Sequence, residues 1–286
     1  MNGVQVVVGS NPITPTISFL RSTIIIFFAV YLFYKPVIQR MSLSPQTWPS
    51  AVYIVIPSYK SADRLERFLP SLLTVAPPTH VCVVDDASED GTGEICKRFD
   101  VACIPHAVNQ GKGAALKTGF ARAIERRMAW VITMDADGQH AVGDLEHFID
   151  ESCRRPSPGL IIGARSMLPG HMPLARIISN TLTSAILSML TRQKIIDSQC
   201  GFRMYSARLI SALPVTHNRF EMESEIILRA CHAGFPVSFI RVQTLYCSDR
   251  SHISHFYDTI RWVKAVVSIS RELRRTGPHA VERKTP

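Results

Sequence analysis

The sequence predicts an α/β fold, a mostly parallel sheet with helices on both faces. Three observations carry that prediction. Apolar runs and amphipathic segments alternate from Val52 onward. The runs are apolar throughout, as strands buried on both faces are. Their ends carry acids, a base and turn formers, at the sheet edge where open α/β folds bind ligands. With 286 residues and 46% apolar content, the chain can build one large domain or two small ones around a sizeable core.

The first strand-like run, Val52–Ile56, leads into Pro57-Ser58-Tyr59 and a helix-like segment over Ala62–Leu73. That turn has no glycine, which excludes a dehydrogenase-type dinucleotide fingerprint. The second run, Val81–Val84, ends in Asp85-Asp86 and precedes a helix-like segment over Thr92–Phe99. The third, Val101–Ile104, is followed by Asn109-Gln110-Gly111-Lys112-Gly113, which opens a helix over Ala114–Arg127. P-loop spacing is absent there. Helix-terminal amides with Lys112 suit an anionic donor, although a plain glycine turn has the same composition.

The fourth run is the most informative. Trp130–Met134 ends in Asp135-Ala136-Asp137, with Gln139 and His140 just after, before a helix over Gly143–Cys153. Placing two carboxylates at the tip of a buried strand is costly unless a cation sits there. Hard cations such as Mg²⁺ favour oxygen ligands and commonly share a phosphate substrate. A solvated Asp-Gly turn would read alike; matching chemistry at three other tips favours a metal–diphosphate site. The fifth run, Leu160–Ile162, ends in Gly163-Ala164-Arg165.

Downstream, Ala175–Leu190 reads as an apolar-rich helix with hydroxyls and a basic start, and Met222–Cys231 as a helix. In Tyr257–Arg275, Trp262, Val263, Val266, Ile269, Ser270 and Leu273 share one face, surrounded by Arg261, Lys264, Arg271, Arg274 and Arg275. A basic amphipathic helix of this kind suits the surface of an anionic membrane; an ordinary packing helix has the same periodicity.

Net charge is +9, which points to an anionic partner. Nucleic acid is disfavoured, because no stacking aromatics are interleaved with the basic residues. Seven scattered cysteines without a C-x-x-C pair read as buried thiols rather than disulfides or zinc ligands. Residues 1–45 form an apolar segment with two readings. Ile17–Tyr34 is just long enough to span a bilayer, and Lys35 and Arg40 after it would place the downstream domain in the cytoplasm. Alternatively, Gly9-Ser10-Asn11-Pro12 is the translation of GGTTCGAATCC, close to the T-arm of a tRNA gene, and the true start is Met41. The expected organisation is this segment, a catalytic domain over 46–250, and a basic membrane-interface helix and tail over 251–286.

Six ordered motifs, IVIPSYK, VVDDASEDGT, NQGKGAALKTGF, MDADGQH, DSQCGFRMY and FEMESEIILRA, resemble those of family 2 glycosyltransferases of the GT-A fold. The likeness runs from about Val52 to Val267 and is strongest to polyprenyl-phosphate sugar transferases such as dolichyl-phosphate mannose synthase. It implies a Rossmann-like nucleotide-diphospho-sugar transferase that uses a UDP- or GDP-sugar and Mg²⁺ or Mn²⁺, inverts the anomeric carbon, and works at the cytoplasmic face of a membrane as a peripheral or single-pass protein of cell-envelope synthesis. By that resemblance Pro57, Tyr59 and Asp86 line the nucleoside pocket, and Lys112 and Gly113 approach the nucleotide. Asp135, Ala136, Asp137 and Gln139 hold metal and diphosphate. Arg165, Arg176 and Ser179 lie near an acceptor phosphate, with Asp197 and Arg203 beneath it. Asp137, Asp197 and Arg203 are the expected catalytic residues. Asp197 orients an arginine clamp if the acceptor is a polyprenyl phosphate, and is the candidate general base if it is a lipid or glycan hydroxyl. Glu221 and Glu223 are expected to cap and brace a helix. Arg250 departs from the family spacing before Ser254-His255-Phe256. A non-catalytic binding scaffold is the rival of another class, and the intact Asp135, Asp137 and Gln139 argue against it.

Overall fold

A computed structural model describes residues 43–154, 159–167, 172–244 and 255–276. The expectations for Ile17–Tyr34, Met41 and Arg250 lie outside those residues. The strands are β1 (Val52–Ser58), β2 (Val81–Asp85), β3 (Ala102–Pro105), β4 (Trp130–Thr133), β5 (Leu160–Ala164), β6 (Arg203–Ser206) and β7 (Val237–Arg241). The α-helices are α1 (Ala62–Leu73), α2 (Thr92–Arg98), α3 (Lys112–Glu125), α4 (Leu145–Arg154), α5 (Leu174–Thr191), α6 (Ala207–Ala212), α7 (Glu221–His232) and α8 (His255–Thr276). They form one sheet in the order β3-β2-β1-β4-β6-β5-β7, in which β6 alone runs antiparallel to its neighbours.

The expected strands are all present, and β1, β2 and β5 are buried along their whole length. Ile54, Ile56, Val83, Val84, Ile132 and Ile162 centre the core; such side chains each contribute roughly 1.5–3 kcal/mol when fully buried. Because β1, β2, β4 and β5 are parallel in direction, their tips share one edge. The antiparallel β6 begins at that edge. Pairing of Thr133 with Arg203 therefore brings the 197–202 loop against the tip of β4.

Of the two readings of the last helix, the packing face is the one its Trp262 stripe takes. Val266 and Ile269 are buried in the core, with Trp262 and Leu273 packed against it. Trp262 Nε1 donates to Ser224 Oγ at 2.8 Å, and Glu272 receives both guanidinium nitrogens of Arg229 at 2.9 Å. The stripe with Trp262 is thus a packing face against α7, and α8 exposes Ile260, Val263 and Val267 among its basic residues instead.

Candidate active site

The tips of β1 and β2 are laced by the polar residues of Asp85–Thr92. Asp85 Oδ1 accepts from Ser88 N at 3.0 Å, closing a turn in which Ala87 takes a left-handed φ of 63°. Ser88 Oγ accepts from Lys60 N at 2.9 Å, and Asp90 Oδ2 accepts from Ala62 N at 2.9 Å, capping α1 from the neighbouring loop. Asp86 is buried behind them. Its oxygens accept from Gln110 N at 2.9 Å, Gly111 N at 2.7 Å and His106 Nδ1 at 2.7 Å. His106 in turn meets Thr118 Oγ1 at 2.9 Å. The carboxylate therefore fixes the loop that leads into α3. Pro57 is buried at the same tip, while the Tyr59 ring is 46% exposed.

Gly111 and Gly113 are explained by a close backbone approach. A Cβ on either would lie 2.6–2.9 Å from backbone or side-chain atoms of Asn218 and Arg219. Ala114 N donates to Asn218 O at 2.9 Å. The amides of Gln110, Gly111 and Ala114 are therefore taken by the protein, and Gly113 faces the 218–219 backbone. What α3 presents to the site is the Lys112 side chain.

Lys112 Nζ sits 2.7 Å from Asp135 Oδ1 and 3.0 Å from Glu223 Oε1. Burial works against its charge, but the two carboxylates outweigh burial and hold the ammonium well above the ordinary lysine range. Asp135 is likewise held well below the carboxylate range: burial opposes, and Lys112 with His140, whose Nε2 is 3.5 Å from Oδ2, prevails. Asp137 is displaced the other way, by burial and by the charge of Asp135. Its Oδ1 accepts from Gln139 N at 3.0 Å, so Asp135, Ala136, Asp137 and Gln139 form one tight turn at the tip of β4. Gly201 lies against this turn, where a Cβ would stand 2.5 Å from Asp135 Oδ2.

On the other side, Arg165 follows β5 and meets Asp197 in paired geometry. Nε donates to Oδ2 at 2.8 Å and Nη2 to Oδ1 at 3.0 Å. Asp197 also accepts from Arg165 N, Asn180 Nδ2 and Gln199 N, at 3.1, 2.8 and 3.1 Å. It has no exposed surface, and although burial resists ionisation, Arg165 holds its carboxyl below the usual range. Ser179 Oγ accepts from Gln199 Nε2 at 3.0 Å, and Arg176, on the same turn of α5, has no ion-pair partner among the described residues.

Arg203 is placed differently from expectation. It is fully buried, donating from Nε, Nη1 and Nη2 to the carbonyl oxygens of Cys200, Glu223 and Ser198 at 2.6, 2.9 and 2.8 Å. It braces the 197–202 loop and touches no open space, so it is a positioning residue. Cys200 is packed, with burial pushing its thiol up to about 12. Glu223 gains more than the brace expected of it, since it reaches Lys112 and, at 3.7 Å, Arg203; Glu221 stays in the first turn of α7. His106 and Gly201 are contributors that sequence reasoning passed over, and His140 was noted beside the turn without a role. Of these, Gly201 and His140 were within reach, lying inside two of the quoted motifs.

Residues 53–213 match the family described as glycosyl transferase family 2. A UDP-N-acetylglucosamine–dolichyl-phosphate N-acetylglucosaminyltransferase of Methanococcus voltae is 27% identical, over 68% of this chain and 86% of the relative. An undecaprenyl-phosphate mannosyltransferase of Micrococcus luteus is 30% identical, over 66% of this chain and 83% of the relative. Among solved structures, glucosyl-3-phosphoglycerate synthase of Mycobacterium tuberculosis, in complex with Mn²⁺, UDP and glucosyl-3-phosphoglycerate, superposes with a TM-score of 0.59 at 13% identity, covering 77% of this chain and 80% of that one. That likeness concerns the fold.

Proposed function

The chain belongs to glycosyl transferase family 2, and we propose that this GT-A glycosyltransferase moves a sugar, with inversion, from a UDP- or GDP-sugar to a polyprenyl phosphate at the cytoplasmic face of a membrane. The donor end rests on the strand-tip geometry. The exposed Tyr59 ring offers a stacking face for the base beside the turn that Asp86 fixes, and Lys112 meets the diphosphate. Asp135, Asp137 and Gln139 fit a hard divalent ion: they are oxygen donors in one turn, and the crowding that raises Asp137 is relieved by a cation. Mg²⁺ or Mn²⁺ bound there would supply Lewis-acid neutralisation of the leaving diphosphate. Arg203 holds Glu223 and the loop beneath, and Gly201 leaves room for the Asp135 carboxylate.

One observation carries the acceptor assignment. Asp197, the carboxylate on which a hydroxyl acceptor would depend for deprotonation, is saturated by five donors and committed to Arg165. It is an orienting group for a cation, not a base. Arg165 and Arg176 would grip a phosphate by charge-assisted hydrogen bonds. A phosphate oxygen is already ionised at neutral pH, so it needs placement rather than deprotonation. The lipid acceptors named for the relatives above agree with this reading.

The membrane reading is supported by α5, which buries polar residues and exposes an apolar stripe. Asn180 and Ser184 are buried, whereas Leu174, Ile178, Leu182 and Met189 are 60–73% exposed along one side. By length and composition α5 could cross a bilayer; its ties to Asp197 and Ser198 suit a helix lying at the interface. On α8, Ile260, Val263 and Val267 stand exposed among Arg261, Lys264 and Arg271. Incubation with labelled UDP- and GDP-sugars and undecaprenyl phosphate tests the proposal. An acid-labile lipid-phosphate sugar is expected; a product on a lipid or glycan hydroxyl would overturn the acceptor assignment.

A further inference from the structure

The Lys112 ammonium is held between two carboxylates, and one of them is the first aspartate of the metal-binding turn. An ammonium 2.7 Å from Asp135 Oδ1 competes with a divalent ion for that oxygen. Two cations on one carboxylate repel, and the half-buried setting screens them poorly. Glu223 offers the ammonium a second partner at 3.0 Å, itself fixed by Arg203. The amides of Gln110 and Gly111 are bonded to Asp86 and that of Ala114 to Asn218, and the Lys112 side chain is the cationic group that α3 presents to an incoming diphosphate.

Building on the donor reading above, we propose that Lys112 is a resident counter-cation that occupies Asp135 until the diphosphate of the donor arrives, with Glu223 as its alternative anchor, so that the divalent ion enters together with the nucleotide rather than ahead of it. The diphosphate brings enough negative charge to accommodate both cations. Asp135 is then released to the ion, while Lys112 remains on Glu223 and the phosphate oxygens. Lys112 thereby makes the site selective for a metal–diphosphate pair over free metal.

The test is Mn²⁺ binding to the full chain by electron paramagnetic resonance, with Mn²⁺ alone and with UDP or GDP added. Wild type is expected to bind Mn²⁺ weakly alone and more tightly with a nucleotide. Lys112→Met is expected to bind Mn²⁺ alone roughly tenfold more tightly, because the competing charge is gone, and to show less nucleotide enhancement. Glu223→Gln, which keeps Lys112 and leaves Arg203 its three carbonyl acceptors, is expected to do the opposite: the ammonium stays on Asp135, and Mn²⁺ alone binds about threefold more weakly. Should Lys112→Met fail to fold, the direction of the Glu223→Gln change decides. Unchanged or weaker Mn²⁺ binding by folded Lys112→Met, or unchanged or tighter binding by Glu223→Gln, overturns the proposal and leaves the donor reading standing. Failure of wild type to bind Mn²⁺ with either nucleotide overturns both.

Discussion

Gly201→Ala should damage the turn from Asp135 to Gln139, the proposed metal site, while sparing the fold. The backbone at Gly201 is outside the left-handed region, so alanine carries no conformational penalty and the effect is steric. The new Cβ would stand 2.5 Å from Asp135 Oδ2 and 2.8 Å from Oδ1. To reach an ordinary contact of about 3.4 Å, the carboxylate must retreat by about 0.9 Å. It has little freedom to do so, since Lys112 holds one oxygen and His140 stands beside the other. Overpacking of this kind costs roughly 1–3 kcal/mol in stability. A misplacement near 1 Å at a reacting centre costs on the order of 10²-fold in rate. The assay is kcat/KM for sugar transfer, read beside nucleotide-dependent Mn²⁺ affinity and a melting curve. A drop near a hundredfold with weakened Mn²⁺ binding and a folded protein is expected. An alanine variant with wild-type turnover would refute the claim that this contact positions Asp135.

Asp137→Ala should abolish turnover with the melting transition retained; residual transfer at the wild-type rate would remove Asp137 from the metal turn. Arg176→Ala should raise KM for the lipid phosphate more than KM for the nucleotide sugar, and an unchanged acceptor KM would place Arg176 outside the site. Glu225, fully buried with partners Thr216, His217 and Arg229, has its carboxyl lowered from 4.5 to about 2, which amounts to about 3 kcal/mol of stability. A depressed acid contributes above its unfolded pKa and loses that contribution as pH falls through the folded value, so Glu225→Gln should destabilise at neutral pH and match wild type near pH 2; a pH-independent difference in melting would contradict this. Paired Ile178→Glu and Leu182→Glu substitutions should abolish co-sedimentation with vesicles of anionic phospholipid without lowering the melting temperature, and retained sedimentation would move the membrane face elsewhere.

The parallel strands were legible because burial on both faces leaves an uninterrupted apolar run, and the tips followed from where those runs stop. β6 escaped because four residues, Arg-Met-Tyr-Ser, include a fully buried arginine whose charge is met by carbonyls contributed by a loop and by α7. Periodicity carries no trace of such partners. The face of α8 was left open between membrane and packing for a related reason. A stripe with Trp262, Val266 and Ile269 has the same spacing whether it meets lipid or α7, and it is the burial of Val266 and Ile269 with the Trp262–Ser224 and Arg229–Glu272 contacts that distinguishes them. The motifs drew attention to the turn from Asp135 to Gln139, yet gave no sign that Glu223, distant in sequence, reaches back to Lys112. For Asp197 and Arg203 the motif supplied position without burial, and burial is what turns one into a support for Arg165 and the other into a brace.

That support bears on how a lipid substrate could meet the site at all. α5 joins Asp197 through Asn180 on its inner side and exposes Leu174, Ile178, Leu182 and Met189 on its outer side. Left in water, those side chains forgo much of the roughly 1.5–3 kcal/mol each that burial would provide. On the proposed membrane reading, seating the outer stripe among acyl chains would recover it and set the height of the helix at the headgroup level. The inner polar network then fixes Arg165 and Arg176 relative to that level, because Asn180 and Ser184 tie α5 to the 197–198 loop. A phosphate at the membrane surface could reach the cationic clamp while its hydrocarbon tail stays in the bilayer. Had α5 carried its polar groups outward, the same helix could neither have held Asp197 nor faced lipid.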